Sequence, residues 1–213
     1  EIVLSIPSVG ATENAMLAAC CADGVTVISN AAREPEIVDL EAFLCSAGAD
    51  VSGAGSSTVI VQGKRPLHDT EHTIIADRIV AATYLSAVAA AGGEATLTGV
   101  DRRALLPVLE VYRMAGCEVH TRPDSITMTC PQRLKAVRPV RTAPYPGFPT
   151  DAQPPVLAAL CRAQGTSVFV ETIFENRFRH CGELLRMGAD VRVEGRVAVV
   201  TGVSQLKGAP VHA

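Results

Sequence analysis

Tryptophan is absent from this 213-residue chain, and its aromatic side chains are limited to five phenylalanines and three tyrosines. An excess of positive charge is also lacking, since 19 basic and 22 acidic residues give a formal net charge of −3. The chain therefore has no general electrostatic attraction for phosphate backbones, and nucleic acid is not an expected partner. Any anionic ligand must be held by groups that the fold brings together locally.

Metal-binding and disulfide patterns are missing as well. The seven cysteines show no CxxC spacing, and most fall within apolar helical or strand patterns, which favours reduced thiols in a cytoplasmic protein. His68 and His72 have the i, i+4 spacing of a metal pair, but they lie in a connecting segment with no third ligand nearby in sequence. We therefore predict neither a metal site nor a cofactor.

Long hydrophobic runs are also lacking. The most apolar stretch, residues 79–93, is shorter than a bilayer span and is interrupted by polar side chains. The first ten residues have no basic region ahead of an apolar one, and their EIVLSI segment is typical of a strand, so we expect no leader peptide there and no membrane association. At 48% hydrophobic, the chain can bury a sizeable core in one large domain or two small ones.

Two glycine landmarks recur three times along the chain. A glycine that opens a strand-like run occurs in GVTVIS at 24, GEATLT at 93 and GTSVFV at 165, with spacings of 69 and 72 residues. A glycine that opens another strand occurs in GADVSG at 48, GCEVHT at 116 and GADVRV at 188, with spacings of 68 and 72 residues. The agreement between the two landmarks indicates three copies of one structural unit.

Each copy is predicted to form a helix, a strand, a helix and two strands. The ranges are 10–22, 25–30, 35–46, 49–52 and 58–62 in the first copy, 77–91, 94–98, 101–115, 117–121 and 125–130 in the second, and 151–164, 166–171, 175–187, 189–194 and 196–201 in the third. The first helix of each copy is rich in small apolar residues, which indicates burial on most sides, and the second is amphipathic. An α/β fold of three βαβαββ-type units, with buried helices and outer sheets, explains this pattern. Pro107 and the pair Pro154–Pro155 should kink or delay their helices.

Helix starts are the first places to look for a site, because their free N–H groups and the helix dipole favour anions. Ser8, Val9 and Gly10 lead from a strand into the first helix, where their amides either cradle a phosphate or simply accompany a serine N-cap. Glu34 opens the second helix ahead of Pro35, where an acid suits the dipole and needs no further role.

Asp151 lies in the segment RTAPYPGFPTDAQ, residues 141–153, in which three prolines limit the freedom of the loop and Thr150 is a candidate cap. Four basic residues without an intervening acid precede it: Arg133, Lys135, Arg138 and Arg141. A rigid loop that holds a carboxylate near bound anions suits a general base. An aspartate that only stabilises the helix dipole fits the pattern equally well.

Arg177 is predicted at the start of the second helix of the last copy, within the string FENRF. The helix dipole disfavours a cation at that position, so a role in holding a carboxylate or phosphate is one explanation. Pairing with Glu175 or Glu171 is the structural alternative.

Five strings in the chain resemble the UDP-N-acetylglucosamine enolpyruvyl transferases, also called 1-carboxyvinyltransferases. The strings are PSVGATENAMLAA, NAAREPEIVDL, DRIVAATYL, RTAPYPGFPTDAQ and FENRFRHCGELLRMGAD, and they occur in that family's order across the whole chain. The resemblance implies an inside-out α/β fold of two domains with three repeats each. It also implies transfer of the enolpyruvyl group of phosphoenolpyruvate to the 3-hydroxyl of UDP-N-acetylglucosamine. That reaction belongs to cytoplasmic peptidoglycan precursor synthesis, and so to cell wall biogenesis, cell shape and cell division.

The resemblance also implies roles for individual residues. Asp151 approaches the sugar hydroxyl that attacks phosphoenolpyruvate, and Glu34 lies beside the sugar. The residues implied to contact the nucleotide or to face the cleft between domains are Ser8, Val9, Gly10, Ile173 and Arg177.

By the same resemblance, residues 1–75 are the last repeat of one domain and 76–213 are the first two repeats of the other. The remaining repeats, which carry the reactive-cysteine loop and most phosphoenolpyruvate ligands, lie outside these residues, so we expect the chain alone to be inactive. One alternative is a non-catalytic nucleotide-sugar binding or regulatory module derived from the enzyme. Another is a structural assembly in which incomplete repeats pair between chains, because three units leave buried-type helices uncovered.

Overall fold

Helices and strands alternate along residues 1–212, which are the residues that the computed structural model describes. The first copy contains β1 (Ile2–Val3), α1 (Val9–Cys21), β2 (Val25–Ser29), α2 (Pro35–Ser46), β3 (Asp50–Ser52) and β4 (Thr58–Gln62). The second contains α3 (Arg78–Ala91), β5 (Gly93–Thr98), α4 (Leu106–Met114), β6 (Glu118–Thr121) and β7 (Ser125–Cys130). The third contains β8 (Val140–Arg141), α5 (Gln153–Leu160), β9 (Thr166–Val170), α6 (His180–Arg186), β10 (Asp190–Glu194) and β11 (Val197–Thr201).

The three sheets share one topology. In the first copy the strand order is β1-β2-β4-β3, with β1 parallel to β2 and the other neighbours antiparallel. The third copy has the equivalent order β8-β9-β11-β10, again with only its first strand parallel to its neighbour. The described residues of the second copy form the sheet β5-β7-β6, which lacks only the short first strand. The predicted α/β class and the threefold repetition are therefore confirmed.

The chain divides into two compact units. The first unit consists of Glu1–Ile75 together with Pro144–Pro146, and the second consists of Ala76–Ala143 together with the described residues from Gly147 onward. The core of the first unit packs α1 and α2 against one face of its sheet, and Met16, Ile28 and Ile37 are fully buried there.

The core of the second unit is built from two repeats. Helix α3 packs on α5, and the side chains of Leu85, Tyr112, Leu157 and Phe169 are fully buried between the helices and the sheets. The hydroxyl of Tyr112 keeps a partner inside this core by donating a 2.6 Å hydrogen bond to the hydroxyl of Ser86.

Burial of the first helix on most sides is observed only in α5, where every residue is buried or half-buried. Helix α1 leaves Leu17 48% exposed, and α3 leaves Val80 and Tyr84 50% and 61% exposed. Within residues 1–212 these apolar faces of α1 and α3 are uncovered, as expected if three units leave buried-type helices exposed. Their small residues are consistent with close packing, but sequence alone does not reveal whether the packing partner is present.

Prolines delay two helices, as predicted. Short 3₁₀ turns, Arg102–Leu105 and Thr150–Ala152, precede α4 and α5. Pro107 then falls in the first turn of α4, and Pro154–Pro155 in the first turn of α5, where a missing N–H leaves no helical hydrogen bond unmade.

Candidate active site

The segment that carries Asp151 is closed into a constrained turn. The backbone N–H of Ala143 donates to the carbonyl oxygen of Phe148 at 3.0 Å, and the Phe148 side chain is buried. Pro149 then leads into the 3₁₀ turn Thr150–Ala152 at the start of α5. Asp151 projects from this turn with 56% of its side chain exposed. The carboxylate is thus held on rigid backbone and remains accessible to a ligand.

Thr150 does not cap the helix that follows it, so this prediction was wrong. No side chain caps the turn, and the hydroxyl of Thr150 instead donates to Glu171 Oε2 at 2.8 Å. The two groups are buried, and a buried hydroxyl is drawn to a carboxylate because a charged acceptor makes a stronger hydrogen bond.

Arg177 lies in a turn ahead of α6 and not at the start of a helix. The prediction placed that helix from residue 175, but α6 begins at His180. Asn176 adopts a left-handed backbone conformation, with φ of 55°, which is incompatible with a continuous right-handed helix and which asparagine tolerates better than most residues. The argument that Arg177 opposes a helix dipole was therefore wrong.

The guanidinium of Arg177 pairs with Asp151 and with neither of the glutamates considered as alternatives. Its Nη2 atom donates to Asp151 Oδ1, and its Cζ atom lies 5.8 Å from the centre of the Phe174 ring. Glu175 pairs with Arg196 at 3.2 Å instead. The second unit thus brings together the two charged residues that the sequence singles out.

Glu171 occupies the buried centre of this arrangement and is 1% exposed. Burial alone would raise the pKa of its carboxyl group. The backbone N–H groups of Ile173 and Phe174 and the hydroxyls of Thr150 and Thr142 outweigh that effect, and the pKa of Glu171 is lowered. Glu171 is therefore a carboxylate at neutral pH. The N–H group of Ile173 donates a 2.8 Å hydrogen bond to its Oε1 atom.

The basic residues upstream of Asp151 are not all gathered around it. The Nε atom of Arg133 donates to the carbonyl oxygen of Arg162, and Lys135 forms a β-bridge with Gln164. Both contacts lie beyond the C-terminal end of α5, whereas Asp151 precedes its N-terminal end. An eight-residue helix is about 12 Å long. These two cations therefore lie at the opposite end of the helix from the carboxylate.

In the first unit, Ser8 is the N-cap of α1, and its hydroxyl accepts a 3.3 Å hydrogen bond from the N–H of Ala11. Val9 and Gly10 form the first turn, and a Cβ atom added to Gly10 would meet nothing within 4 Å beyond its chain neighbours and the backbone of its own helix. Glycine is thus not required there by crowding within the protein. The sterically open backbone of this turn is suited to close approach by a ligand.

The starts of α1 and α2 are linked by Thr12, a fully buried residue. Its hydroxyl donates to the carbonyl oxygen of Ser8 at 2.8 Å and accepts from the N–H of Ala32 at 3.0 Å. Glu34 follows shortly after and is buried, with Oε1 accepting a 3.3 Å hydrogen bond from the N–H of Tyr145. The first unit therefore brings its own two predicted segments together.

Two of the candidate residues, Glu34 and Arg177, carry buried polar atoms without a hydrogen-bond partner. Within residues 1–212, the buried side-chain atoms without a hydrogen-bond partner are Glu34 Oε2, Arg177 Nε, and Oε1 and Nε2 of Gln153. Gln153 is fully buried, and it lies two residues after Asp151. Such atoms are uncommon in proteins, and each costs about 1–3 kcal/mol. Sequence analysis did not single out Gln153, although the string PTDAQ contains it.

The histidines and cysteines that the sequence suggests as metal or redox candidates make ordinary contacts within the fold. His72 Nε2 lies 2.9 Å from Asp39 Oδ1, and all seven cysteines are free. No cluster of three or more histidine, cysteine, aspartate or glutamate side chains suited to a metal occurs in the described part of the chain. The helices between residues 1 and 212 include none that is long and apolar enough to cross a membrane.

Comparison with known proteins gives close relatives along the whole chain. The UDP-N-acetylglucosamine 1-carboxyvinyltransferase 2 of Caldanaerobacter subterraneus is 55% identical over 213 residues, which are 100% of this chain and 51% of the relative. The UDP-N-acetylglucosamine 1-carboxyvinyltransferase 1 of Symbiobacterium thermophilum is 53% identical over 211 residues, which are 99% of this chain and 48% of the relative. The chain thus spans about half the length of the curated relatives it matches.

A solved structure and a family profile agree with these relatives. The crystal structure of the enolpyruvyl transferase NikO from Streptomyces tendae superposes with a TM-score of 0.80 at 26% identity, covering 93% of this chain and 47% of NikO. The profile described as EPSP synthase (3-phosphoshikimate 1-carboxyvinyltransferase) matches residues 1–213. The chain therefore belongs to the EPSP synthase family of enolpyruvyl transferases, and its close relatives within that family are UDP-N-acetylglucosamine 1-carboxyvinyltransferases.

Proposed function

We propose that the complete protein transfers the enolpyruvyl group of phosphoenolpyruvate to the 3-hydroxyl of UDP-N-acetylglucosamine, in the cytoplasmic synthesis of peptidoglycan precursors. The names of the relatives support the sugar nucleotide and the transferred group. In this reaction the sugar oxygen attacks the enolpyruvyl carbon, the hydroxyl proton is removed by a base, and inorganic phosphate leaves.

Asp151 is the proposed general base. Three observations support this proposal: the Asp151 carboxylate is exposed, it lies on a 3₁₀ turn, and Arg177 pairs with it. Fixed geometry within reach of the proton is the first requirement for a general base, and such a group typically contributes roughly 10²–10⁴-fold to the rate. Arg177 is proposed to orient this carboxylate and to bind a carboxylate or phosphate of the substrates.

The identity of the residues that carry unsatisfied buried polar atoms is the observation that carries the proposal. Native proteins rarely leave buried polar atoms unpaired, and exceptions are expected at functional or strained sites. In the described residues they fall on Glu34, Gln153 and Arg177, which belong to or adjoin the segments proposed to bind the substrate. A polar sugar nucleotide supplies the donors and acceptors that such groups require.

Ser8, Val9 and Gly10 are proposed to bind the UDP portion, with Glu34 beside the sugar and Ile173 against the nucleotide. The open space around Gly10 supports the first assignment, since a pyrophosphate approaches helix N–H groups most closely where no side chain intervenes. The fixed N–H of Ile173 supports the last, because it holds the neighbouring backbone in one conformation.

Residues 1–75 are proposed to be the last repeat of one domain, and 76–213 the first two repeats of a second. The boundary of the compact units near Ile75 supports this division. The exposed apolar face of α3 supports further repeats as partners, since Val80 and Tyr84 are the kind of residues that a packed helix buries. We propose that the 213-residue chain alone is inactive, because it corresponds to only about half of the length of its relatives.

The test uses the complete product of the gene that encodes these residues, incubated with UDP-N-acetylglucosamine and phosphoenolpyruvate. The expected result is release of inorganic phosphate together with an enolpyruvyl ether at the sugar 3-hydroxyl, identified by NMR. Residues 1–213 expressed alone should release no phosphate. A complete protein that binds the sugar nucleotide without turnover would favour the non-catalytic module, and self-association of residues 1–213 by light scattering would favour the structural assembly.

A further inference from the structure

Glu171 is placed at the junction of three segments of the second unit, directly after β9. Its Oε1 atom accepts hydrogen bonds from the N–H groups of Ile173 and Phe174 at 2.8 and 3.1 Å. The same atom accepts from the hydroxyl of Thr142 at 2.9 Å. Its Oε2 atom accepts from the hydroxyl of Thr150 at 2.8 Å. Oε1 therefore contacts Thr142 and the segment of residues 173 and 174, whereas Oε2 contacts Thr150.

These bonds close a circuit that contains the proposed base. Thr150 is the residue before Asp151, and Ile173 begins the segment that carries Arg177. Glu171 joins the two segments from the buried side, and the ion pair between Arg177 and Asp151 joins them from the exposed side. With both connections in place, the position of the Asp151 carboxylate is fixed by contacts at two points.

Thr142 extends the circuit to the loop that leads toward Asp151. Its hydroxyl accepts from the N–H of Thr172 at 2.9 Å, and its carbonyl oxygen accepts from the hydroxyl of Thr172 at 2.6 Å. The segments before and after the proline-rich turn are thus both tied to the residues around Glu171.

Stability alone does not account for a charge in this position. Glu171 forms no ion pair with any residue between 1 and 212, and a buried carboxylate without a cation is costly unless donors surround it. Apolar residues of similar size fill buried sites at lower free-energy cost. What the carboxylate supplies, and an apolar residue does not, is a set of directional contacts to three segments at once.

We infer that Glu171 is a positioning residue that holds the turn of Asp151 and the turn of Arg177 in the register required for proton removal from the substrate. This inference rests on the proposed function, in which Asp151 is the base. It assigns to Glu171 no contact with the substrate itself.

The test uses Glu171→Gln in the complete gene product. The amide replaces one carboxylate oxygen with a donor, so either Thr150 loses its acceptor, or Thr142 and the N–H groups of residues 173 and 174 lose theirs. We expect kcat to fall by about 10²-fold with little change in KM, because small misplacements of a catalytic group cost rate more than affinity. Thr150→Val, which is isosteric but lacks the donor, should change kcat in the same direction, and Thr150→Ser should restore most of that loss.

A double mutant separates positioning from a general structural effect. If Glu171 acts through Asp151, Glu171→Gln should lower kcat no further in an Asp151→Asn background, whereas independent effects would multiply. Tyr112→Phe is the control, since it removes a buried 2.6 Å hydrogen bond elsewhere in the same unit and should leave kcat unchanged.

The outcomes are distinguishable. Absence of turnover by the wild-type protein overturns the proposed function and this inference with it. Wild-type turnover combined with an unchanged kcat in Glu171→Gln, or with losses that multiply in the double mutant, overturns the inference alone.

Discussion

Arg177 donates a hydrogen bond to Asp151 although 26 residues separate them in sequence. The pair is partly exposed, with 33% and 56% of the two side chains accessible. Exposed ion pairs contribute only about 0–1 kcal/mol to stability, because solvent screens them and ordering the side chains costs entropy. The pair is therefore better suited to orienting a carboxylate than to holding the fold together.

Substituting Arg177 should accordingly affect turnover more than stability. Arg177→Gln is expected to lower kcat by roughly tenfold or more while leaving the melting temperature nearly unchanged, because Asp151, the proposed general base, loses its orienting partner. Arg177→Lys should recover only part of the rate, since lysine keeps the charge but not the planar fork. Steady-state kinetics and thermal melts of the complete protein measure both effects. A large drop in melting temperature with normal kcat would contradict this interpretation.

Gly10→Ala should stabilise the protein and weaken sugar-nucleotide binding. The added methyl group meets open space, and alanine in a helix is favoured over glycine by roughly 0.5–1 kcal/mol. The same methyl group would obstruct a phosphate at the helix start, so the Kd for UDP-N-acetylglucosamine should rise by about tenfold, equivalent to about 1.4 kcal/mol.

Gly182→Ala is the matched control for that experiment. Gly182 lies within α6, and a Cβ added there would likewise meet nothing within 4 Å beyond its chain neighbours and its own helix backbone, so its substitution should stabilise the protein without changing affinity. Calorimetric titration measures the affinities and urea unfolding measures the stabilities. Equal Kd values for the two variants would show that the nucleotide does not bind at the start of α1.

Acid should selectively weaken the second unit through Glu171. Its pKa is lowered in the folded protein from an ordinary value of 4.5, so its contribution to stability is present above that value and is lost as the pH falls through the folded pKa. The difference in the free energy of unfolding between the wild-type protein and Glu171→Gln should therefore become smaller below about pH 4.5. Urea unfolding at a series of pH values measures this difference. Glu110→Gln, which removes an exposed partner of Arg113, is the control. A difference that is constant with pH would be inconsistent with the lowered pKa.

Thiol reactivity should follow burial. Cys21 and Cys45 are exposed, whereas burial raises the pKa of Cys161 to about 12 and that of Cys181 to about 11. At about pH 8 the buried pair is almost wholly in the unreactive thiol form, so iodoacetamide should label Cys21 and Cys45 first. Peptide mass spectrometry locates the label, and urea should expose the buried pair. Labelling of Cys161 in the folded protein at the rate of Cys21 would show that this core is open.

The repeat architecture was predictable because its determinants are local. Glycine landmarks such as Gly24 and Gly165 precede equivalent strands, and the prolines mark where α4 and α5 begin. These features depend on the backbone conformation of a few consecutive residues, and glycine and proline indicate that conformation directly.

Contacts between distant segments were not predictable in the same way. Pairing of Arg177 with Asp151, and not with Glu171 or Glu175, depends on how two turns meet and on which donors surround Glu171. The late start of α6 depends on Asn176, whose left-handed conformation is allowed but not required by its sequence. Burial of Gln153 follows from packing around α5, which a pattern of single residues does not specify.

Replacement of Asp151 by asparagine tests the proposed mechanism most directly. The complete protein is assayed for phosphate release from phosphoenolpyruvate in the presence of UDP-N-acetylglucosamine, and binding of the sugar nucleotide is measured separately. Loss of the proposed general base should lower kcat by roughly 10²–10⁴-fold while the sugar nucleotide still binds. An Asp151→Asn protein that releases phosphate at the wild-type rate would contradict the assignment of Asp151 as the base.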